Sequence, residues 1–167
     1  MSYTETLKSK LQREAIREAL MKEEWQLHIT LHYRHKDYPI PRATQKLNAL
    51  DAYLGTATAG KRFNKPINFC KRVKWFGTFG RNDKQHLHAH LLLQLPPNTD
   101  KQVIIDLIDD YHKTLQGKDI YALDITAEDK ETRINYILQY RHLPIDENGF
   151  LDMSHSIHSH TYEMPTI

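Results

Sequence analysis

Three histidines, His86, His88 and His90, alternate with apolar residues at the start of an otherwise aliphatic stretch that runs to residue 95. In a β-strand, side chains two positions apart point to the same face of the sheet. The pattern therefore predicts a strand with the three histidines and Gln94 on one face and aliphatic side chains on the other. We expect the aliphatic face to pack in a core and the histidine face to serve metal coordination or acid–base chemistry.

Strand geometry limits how these histidines can share one metal ion. Neighbouring histidines on one face lie about 6.7 Å apart along the strand, and His86 and His90 lie about 13 Å apart. Metal–nitrogen bonds are only about 2.0–2.2 Å long, so two adjacent histidines can converge on an ion but three can hardly do so. The pairs His86/His88 and His88/His90 both remain open, with a third ligand from elsewhere in the chain.

A second group capable of chemistry lies downstream. Tyr136 and Tyr140 are four residues apart in segment 128–142, where the apolar spacing predicts a helix, so both would lie on one helix face. A tyrosine hydroxyl, with a pKa of about 10, is a poor nucleophile alone. It forms covalent intermediates when the electrophile is polarised nearby, as a metal ion bound to a phosphate oxygen would do.

The remaining hydrophobic pattern predicts the elements that position these residues. We predict helices at 4–24 (capped by Thr4), 42–54 (ended by Gly55), 100–116 (closed by Gly117) and 128–142, strands at 25–33, 71–79, 86–95 and 119–126, and a polar, histidine-rich tail at 144–167. This order predicts an α+β fold in which a single antiparallel-rich sheet of four to five strands has helices packed on one face. The histidines would then lie on the open face, and the 167 residues would form one domain.

Composition narrows the class of protein. Charged residues make up 26% and apolar residues 40%, which is typical of a globular chain, and the net charge of +2 decides neither for nor against a nucleic-acid partner. Cys70 is the only cysteine, which excludes an internal disulfide and a cysteine zinc site. Because no apolar run approaches the roughly 18 residues of a membrane span and the N-terminus lacks a signal-peptide core, we expect a cytoplasmic protein with no membrane partner.

Six basic residues and no acidic ones lie between positions 61 and 74. Basic side chains there could hold DNA phosphates while Phe63 and Phe69 stack on bases. The alternative is a solvated loop that leads into a strand, with the phenylalanines in the core. The DNA-binding candidates are Lys61, Arg62, Lys65, Lys71, Arg72 and Lys74.

These motifs resemble those of the HUH endonuclease superfamily, which includes rolling-circle replication initiators, conjugative relaxases and single-strand transposases. The segment from His88 to Gln94 looks like the initiators' metal motif, and the segment from Asn135 to Leu138 looks like their tyrosine motif. The resemblance covers roughly residues 25–142. It implies an enzyme that nicks single-stranded or hairpin DNA, in which a tyrosine attacks a phosphodiester, forms a 5′-phosphotyrosine and releases a 3′-hydroxyl.

Carried onto this chain, the resemblance implies that His88 and His90 bind Mg²⁺ or Mn²⁺ and that Tyr136 is the nucleophile. His86 is a further candidate ligand, and Tyr140 would act as well if two tyrosines cleave in succession. The implied biological role is initiation of rolling-circle replication of a plasmid or virus. Since the chain has no Gly-Lys-Ser/Thr nucleotide loop, a host helicase would unwind the DNA.

Two departures from the family pattern leave roles open. Gly80 and Arg81 stand where many initiators supply a glutamate ligand, so the third ligand would come from His28, His32, His86, Asp83 or Gln139. Gln139 also stands where many initiators have a lysine. Arg133 or Arg141 would then provide the positive charge for the scissile phosphate.

Two other classes of protein fit parts of the pattern. Residues 86–92 also resemble the signature of histidine-triad hydrolases and transferases, in which a histidine attacks a nucleotide α-phosphate without a metal. That family usually ends soon after the motif, whereas about 75 residues follow it here. The third class is a non-catalytic DNA-binding module with structural histidines, which predicts DNA binding that is indifferent to metal.

Overall fold

Five strands pair into one antiparallel sheet in the structure, a computed structural model that describes residues 5–114 and 117–166. The strands are β1 (Leu27–Lys36), β2 (Lys74–Arg81), β3 (His86–Gln94), β4 (Gly117–Asp124) and β5 (Ser156–His158), in the sheet order β4-β1-β3-β2-β5. The helices are α1 (Leu7–Met21), α2 (Ile40–Ala59), α3 (Lys101–Thr114) and α4 (Lys130–Ile137), with 3₁₀ helices at Pro66–Lys71 and Met153–His155. The predicted α+β class and the antiparallel sheet are confirmed.

The central four strands and two helices follow the chain order β1-α2-β2-β3-α3-β4, with β1 and β3 in the middle. This is the split βαβ arrangement, in which each helix connects two parallel strands that are separated by a third strand. As a result, β3, which carries the histidines, is the central strand of the sheet. No helix among the described residues is both long and apolar enough to cross a membrane.

One face of the sheet forms the main core. Along β3, Leu87, Ala89, Leu91 and Leu93 are each 2% exposed or less, as the alternation predicts. They pack with the matching face of β1 and with the apolar sides of α2 and α3.

The opposite face, which carries the histidines, is half covered. A second core cluster joins α1 and α4 to this face through Phe76 of β2 and Leu92 of β3, both fully buried. The expectation that helices pack on one face only was therefore wrong. The reason is visible in the two side chains: large apolar residues on the histidine face need a cover of their own. The histidines occupy the other half of that face.

Several predicted boundaries shift. Helix α2 continues through Gly55 to Ala59, and the missing side chain at Gly55 leaves room for Phe63 and Arg72 to pack against the helix. Helix α1 is capped by Thr6, whose side chain accepts a hydrogen bond from the Ser9 amide, while the predicted cap Thr4 lies outside the described residues. The predicted end of the third helix at 115–116 also lies outside them.

The C-terminal tail is more regular than the sequence indicates. Residues 156–158 form β5, which pairs with β2 and extends the sheet by one strand. Ser159 continues this connection, since its amide donates to the Trp75 carbonyl and its hydroxyl accepts from the Trp75 amide. The tail therefore covers the β2 edge of the sheet.

Candidate metal centre

His88 and His90 project from β3 towards the uncovered half of the histidine face. His88 lies opposite Gly80 of β2 and His32 of β1. A Cβ atom at Gly80 would collide with the His142 ring and come within 2.8 Å of His88 Nε2. The glycine that replaces the expected acidic ligand therefore leaves the space into which two imidazole rings reach.

The third histidine of the site is His142, which the sequence analysis missed. Helix α4 ends at Ile137, and the chain then turns back so that the amides of His142 and Leu143 both donate to the Gln139 carbonyl at 2.8 Å. This turn directs the His142 ring, which is 1% exposed, to the sheet. Its ring centroid lies 4.7 Å from that of His90 and 5.5 Å from that of His88.

One ring nitrogen from each of His88, His90 and His142 lies within 4.8 Å of the other two. His90 Nε2 and both ring nitrogens of His142 are buried without a hydrogen-bond partner. Buried polar atoms in proteins are normally paired, so unpaired nitrogens that converge on one point fit a metal ion. Metal–nitrogen bonds of about 2.0–2.2 Å would require these nitrogens to move closer together. The three histidines could thus hold an ion and leave coordination positions open.

The Nδ1 atom of His90 is fixed from behind. It lies 3.2 Å from His28 Nε2 and 3.1 Å from Thr30 Oγ1. If Nδ1 carries the proton and donates to either partner, Nε2 keeps its lone pair for a metal. His28, one of the candidates for the third ligand, therefore lies behind a ligand and outside the group of three.

Burial keeps these imidazoles uncharged. It lowers the pKa of His88 to about 4, with a further contribution from His32, and lowers the pKa of His142 to about 3, with a further contribution from His88. Burial and the neighbouring His142 lower the pKa of His90 still more. Neutral imidazole is the form that binds a metal. At neutral pH, metal binding would therefore not have to displace a proton from a charged ring.

Tyr136 stands beside the three histidines. Its ring centroid lies 5.0 Å from that of His90 and 5.2 Å from that of His142. The end of α4 is held to the sheet because the buried hydroxyl of Thr78 donates to the Ile137 carbonyl at 2.8 Å. The guanidinium carbon of Arg141 lies 5.1 Å from the centre of the Tyr136 ring.

A cleft of about 550 Å³ opens over this site. Arg81, Arg141 and Tyr121 line it together with His88, His90 and Tyr136. A flexible polymer strand could enter such a cleft from solvent and reach Tyr136 and the edge of the histidine group, whereas His142 lies behind the cleft lining.

Tyr140 is separated from this cleft. Because α4 ends at Ile137, Tyr140 does not lie one helical turn beyond Tyr136 as predicted. It is 37% exposed in a different cleft against α1, with the Arg13 guanidinium 4.5 Å from its ring centre, and Gln139 lines the same cleft. The structure therefore places neither residue at the histidines.

The other candidate ligands also lie outside the group of three. His86 Nδ1 approaches the Tyr33 carbonyl at 3.4 Å, at the end of β3 beyond His88. His32 faces His88 across the strands with ring centroids 6.1 Å apart, and Asp83 lies on the rim of the cleft. His86 lies on β3 with His88 and His90 but is not among the three histidines that could hold a metal ion, and the metal-free histidine-triad hypothesis stays a prediction.

The basic segment 61–74 does not lie at the cleft. Arg72 is 4% exposed and pairs with Asp51 at 2.8 Å, so its assignment as a DNA contact was wrong. Lys74 pairs with Glu23 at 3.0 Å, at the end of β2 that lies about 20 Å from Gly80. The other four candidates are exposed on the loop before that strand end: Lys61, Arg62, Lys65 and Lys71.

One signal in the sequence pointed towards His142. A residue before proline avoids the helical conformation, so Pro144 predicts that the helix ends before Leu143. An earlier end of the helix would have freed the preceding histidine to turn back to the sheet. No signal in the sequence gives the direction of that turn.

The fold and site together define an α+β protein with a candidate three-histidine metal centre and an adjacent tyrosine. Comparisons of the chain with protein-family models, with curated proteins and with solved structures found no match.

Proposed function

We propose that this protein is a metal-dependent endonuclease and strand transferase that nicks single-stranded DNA through a covalent bond to Tyr136. The observation that carries the proposal is the position of Tyr136, whose ring lies 5.0 Å from His90 in an open cleft beside three convergent histidines. The central position of the histidine strand and the tyrosine helix that follows β4 agree with the resemblance to HUH endonucleases. Initiation of rolling-circle replication, with a host helicase, is the biological role that we propose.

A divalent ion, when bound, would draw electrons from a phosphate oxygen and make the phosphorus more electrophilic. Tyr136 would form a bond from its phenol oxygen to phosphorus as the bond from phosphorus to the 3′ oxygen breaks. The phenol gives up its proton, and the departing oxygen takes one up to become the 3′-hydroxyl. Transfer of the 5′-phosphoryl group from Tyr136 to another 3′-hydroxyl reverses these steps and joins two strands.

Arg141 would hold the phosphate during this exchange. Its guanidinium group lies against the Tyr136 ring and lines the cleft. Arg133, the other candidate, pairs with Asp129 at 3.6 Å. Arg141 therefore takes the role of the missing lysine.

The three nitrogen donors bear on the choice of ion. Mg²⁺ prefers oxygen ligands, whereas affinity for nitrogen sites rises from Mn²⁺ along the first transition row. Of the two ions that the resemblance implies, Mn²⁺ fits this site better. We expect Mn²⁺ to support nicking at lower concentrations than Mg²⁺.

A pool of single-stranded oligonucleotides with random centres, incubated with Mn²⁺ and analysed on denaturing gels, tests the proposal. The label belongs at the 3′ end, because a 5′-phosphotyrosine keeps the 3′-labelled fragment on the protein. We expect a labelled protein band that disappears with chelator and in Tyr136→Phe. Tyr140→Phe is the matched control and should keep the band, since Tyr140 lies in a separate cleft.

Three results would overturn the proposal: a labelled band that survives in Tyr136→Phe, cleavage that is indifferent to chelator, or a parent protein that forms no band with any divalent ion tested. Metal-independent hydrolysis of a nucleoside phosphoramidate would instead support the histidine-triad hypothesis. DNA binding that is indifferent to metal, without cleavage, would support the non-catalytic module.

A further inference from the structure

The uncovered half of the histidine face extends beyond the metal site onto the edge strand β4. Tyr121 is 63% exposed and Leu123 is 49% exposed. Both lie on the histidine face, because Tyr121 pairs with Thr30 and Leu123 pairs with His28. The alternate residues of β4 pack into the main core on the other face. The second core cluster includes no described residue of β4, so this apolar strip has no cover from α1 or α4.

We propose that Tyr121 is a stacking platform for a base of single-stranded DNA, next to the phosphate that the histidine site holds. The inference rests on the proposed function and deepens it by naming a residue that selects single-stranded substrate. An exposed aromatic ring beside a phosphate site suits an unpaired nucleotide, because every base has a face that stacks on it.

The Tyr121 ring is oriented by its neighbour in the sheet. It contacts the His32 ring edge to face, with centroids 5.4 Å apart and an interplanar angle of 83°. His32 lies in turn opposite His88. The rings of His88, His32 and Tyr121 are thus successive neighbours from the metal centre to the platform. A base stacked on Tyr121 would therefore lie beside the metal site.

The position of Tyr121 agrees with a neighbouring nucleotide. Tyr121 pairs with Thr30 and Thr30 pairs with His90, so two strand spacings, roughly 10 Å, separate Tyr121 from a metal ligand. This separation is within the reach of the nucleotide that adjoins the scissile phosphate.

Charges around the platform suit a phosphate backbone. Arg81 and Arg141 line the main cleft with Tyr121, against the single acid Asp83. A smaller adjoining cleft of about 170 Å³ is lined by His32, Lys118, Asp119 and Tyr121. The platform therefore lies between the two arginines of the main cleft and Lys118 of the smaller one, which also holds Asp119, whereas the basic segment 61–74 lies at the far end of the sheet.

Fluorescence anisotropy with labelled single-stranded DNA 20-mers, in chelator and at low salt, separates binding from nicking. We expect Tyr121→Ala to bind at least about fivefold more weakly than the parent and Tyr121→Phe to bind within about twofold, because the stacking energy resides in the ring. Tyr53→Ala is the matched control: Tyr53 is also an exposed tyrosine, at 39%, but lies on α2 across the sheet. Blunt duplex DNA of the same length should bind more weakly, since its bases are already stacked.

A second measurement uses Tyr121→Trp, whose indole should lose fluorescence when oligothymidine binds. The two native tryptophans, Trp25 and Trp75, are 4% and 2% exposed and should respond little. The proposal is overturned if folded Tyr121→Ala binds as tightly as the parent, if Tyr121→Phe loses as much as Tyr121→Ala, or if the parent binds no single-stranded DNA.

The two proposals fail in different ways. If Tyr121→Ala nicks and binds DNA as the parent does, the proposed role of Tyr121 is wrong and the proposed nicking activity stands. If DNA binding depends on Tyr121 but the parent forms no covalent product, the proposed role of Tyr121 stands and the proposed nicking activity is wrong.

Discussion

The two faces of the sheet carry side chains of opposite kinds on the same strands. On the core face of β3, Ala89 and Leu91 are at most 2% exposed and belong to the apolar cluster that β3 forms with β1, β2, α2 and α3. On the other face, His90 is nearly as buried, at 4% exposed, yet its Nε2 atom has no hydrogen-bond partner. Burial stabilises the first face and costs free energy on the second.

The two faces therefore contribute differently. The core face stabilises the fold, and the histidine face has unpaired nitrogen atoms that could bind a ligand. The core face is complete without any other molecule, because its apolar atoms need only contact. The histidine face leaves buried nitrogen atoms without a hydrogen-bond partner and Tyr121 exposed to solvent. Substitutions on the two faces should therefore change different measurable quantities.

The largest contrast is expected between His142→Ala and Leu91→Ala. Loss of the His142 ring should weaken Mn²⁺ binding by more than about 100-fold, beyond what substitution of residues behind a ligand costs. Its effect on metal-free stability should be small, since the cavity that it leaves is offset by the removal of unpaired buried nitrogens. Leu91→Ala should lower the free energy of unfolding by about 2–5 kcal/mol.

Isothermal titration with Mn²⁺ and urea unfolding in chelator measure the two effects. His155→Ala is the control for a histidine outside the group of three. If His142→Ala binds Mn²⁺ as the parent does, or unfolds as readily as Leu91→Ala, the two faces do not differ in the way that we expect.

Two glycines of β2 provide a second contrast with the same substitution. An added methyl group at Gly80 would meet the His142 and His88 rings, whereas at Gly77 it would meet Leu91 and come within 2.8 Å of the His90 carbonyl. Overpacking costs about 1–3 kcal/mol at either position. At Gly80 the cost should appear as roughly 5- to 150-fold weaker metal binding, and at Gly77 as a lower free energy of unfolding. Equal loss of metal affinity in both variants would contradict the assignment.

The support behind His90 should have a smaller effect. His28→Phe removes one of the two partners of His90 Nδ1, while Thr30 still remains. We expect roughly tenfold weaker Mn²⁺ binding, the lower end of the range for groups that orient a ligand. Titration of His28→Phe and Thr30→Val tests this, and the double variant should lose more than either one. A double variant with parental affinity would show that these contacts do not orient the ring.

The broadest effect concerns pH, because it involves several buried histidines at once. The folded pKa values of His88 and His142, about 4 and about 3, lie below the ordinary value of 6.5, so the unfolded chain binds more protons between these limits. Stability should therefore be full above about pH 7 and should fall as the pH is lowered towards 4. Melting temperatures from pH 7.5 to 5 in chelator measure this, and His142→Ala should show a shallower fall. A melting temperature that rises on acidification would contradict it.

Much of the fold could be predicted because single strands carry their own signal. The alternation of His88 and His90 with buried aliphatic residues identifies both faces of β3 without any tertiary information. The antiparallel sheet was predicted from the order of the elements. The helix that carries Tyr136 was predicted from local periodicity, although it ends at Ile137 and not at residue 142. The cover on the histidine face could not be predicted, because nothing local shows that Phe76 and Leu92 meet α1 and α4.

The site was predictable in two of its three histidines. His142 depends on a turn after α4 whose direction is set by the packing of Ile137 and Leu138 in the second core cluster. Arg72 illustrates the same limit, since its partner Asp51 lies 21 residues earlier in the chain. Charge composition alone therefore predicted Arg72 as a DNA contact, although its side chain is buried in an ion pair.

The turn after α4 has one more consequence. His142 lies only six residues after Tyr136 in the sequence. The helix end lies between the two residues and is held by the buried Thr78 hydroxyl. A metal ion that holds the His142 ring would also restrict the swing of the tyrosine, and a molecule attached to the tyrosine would restrict the ring. By thermodynamic linkage, each event must change the affinity for the other by the same factor. If Tyr136 is the nucleophile that we propose, this short segment would link occupancy of the metal site to the position of the tyrosine.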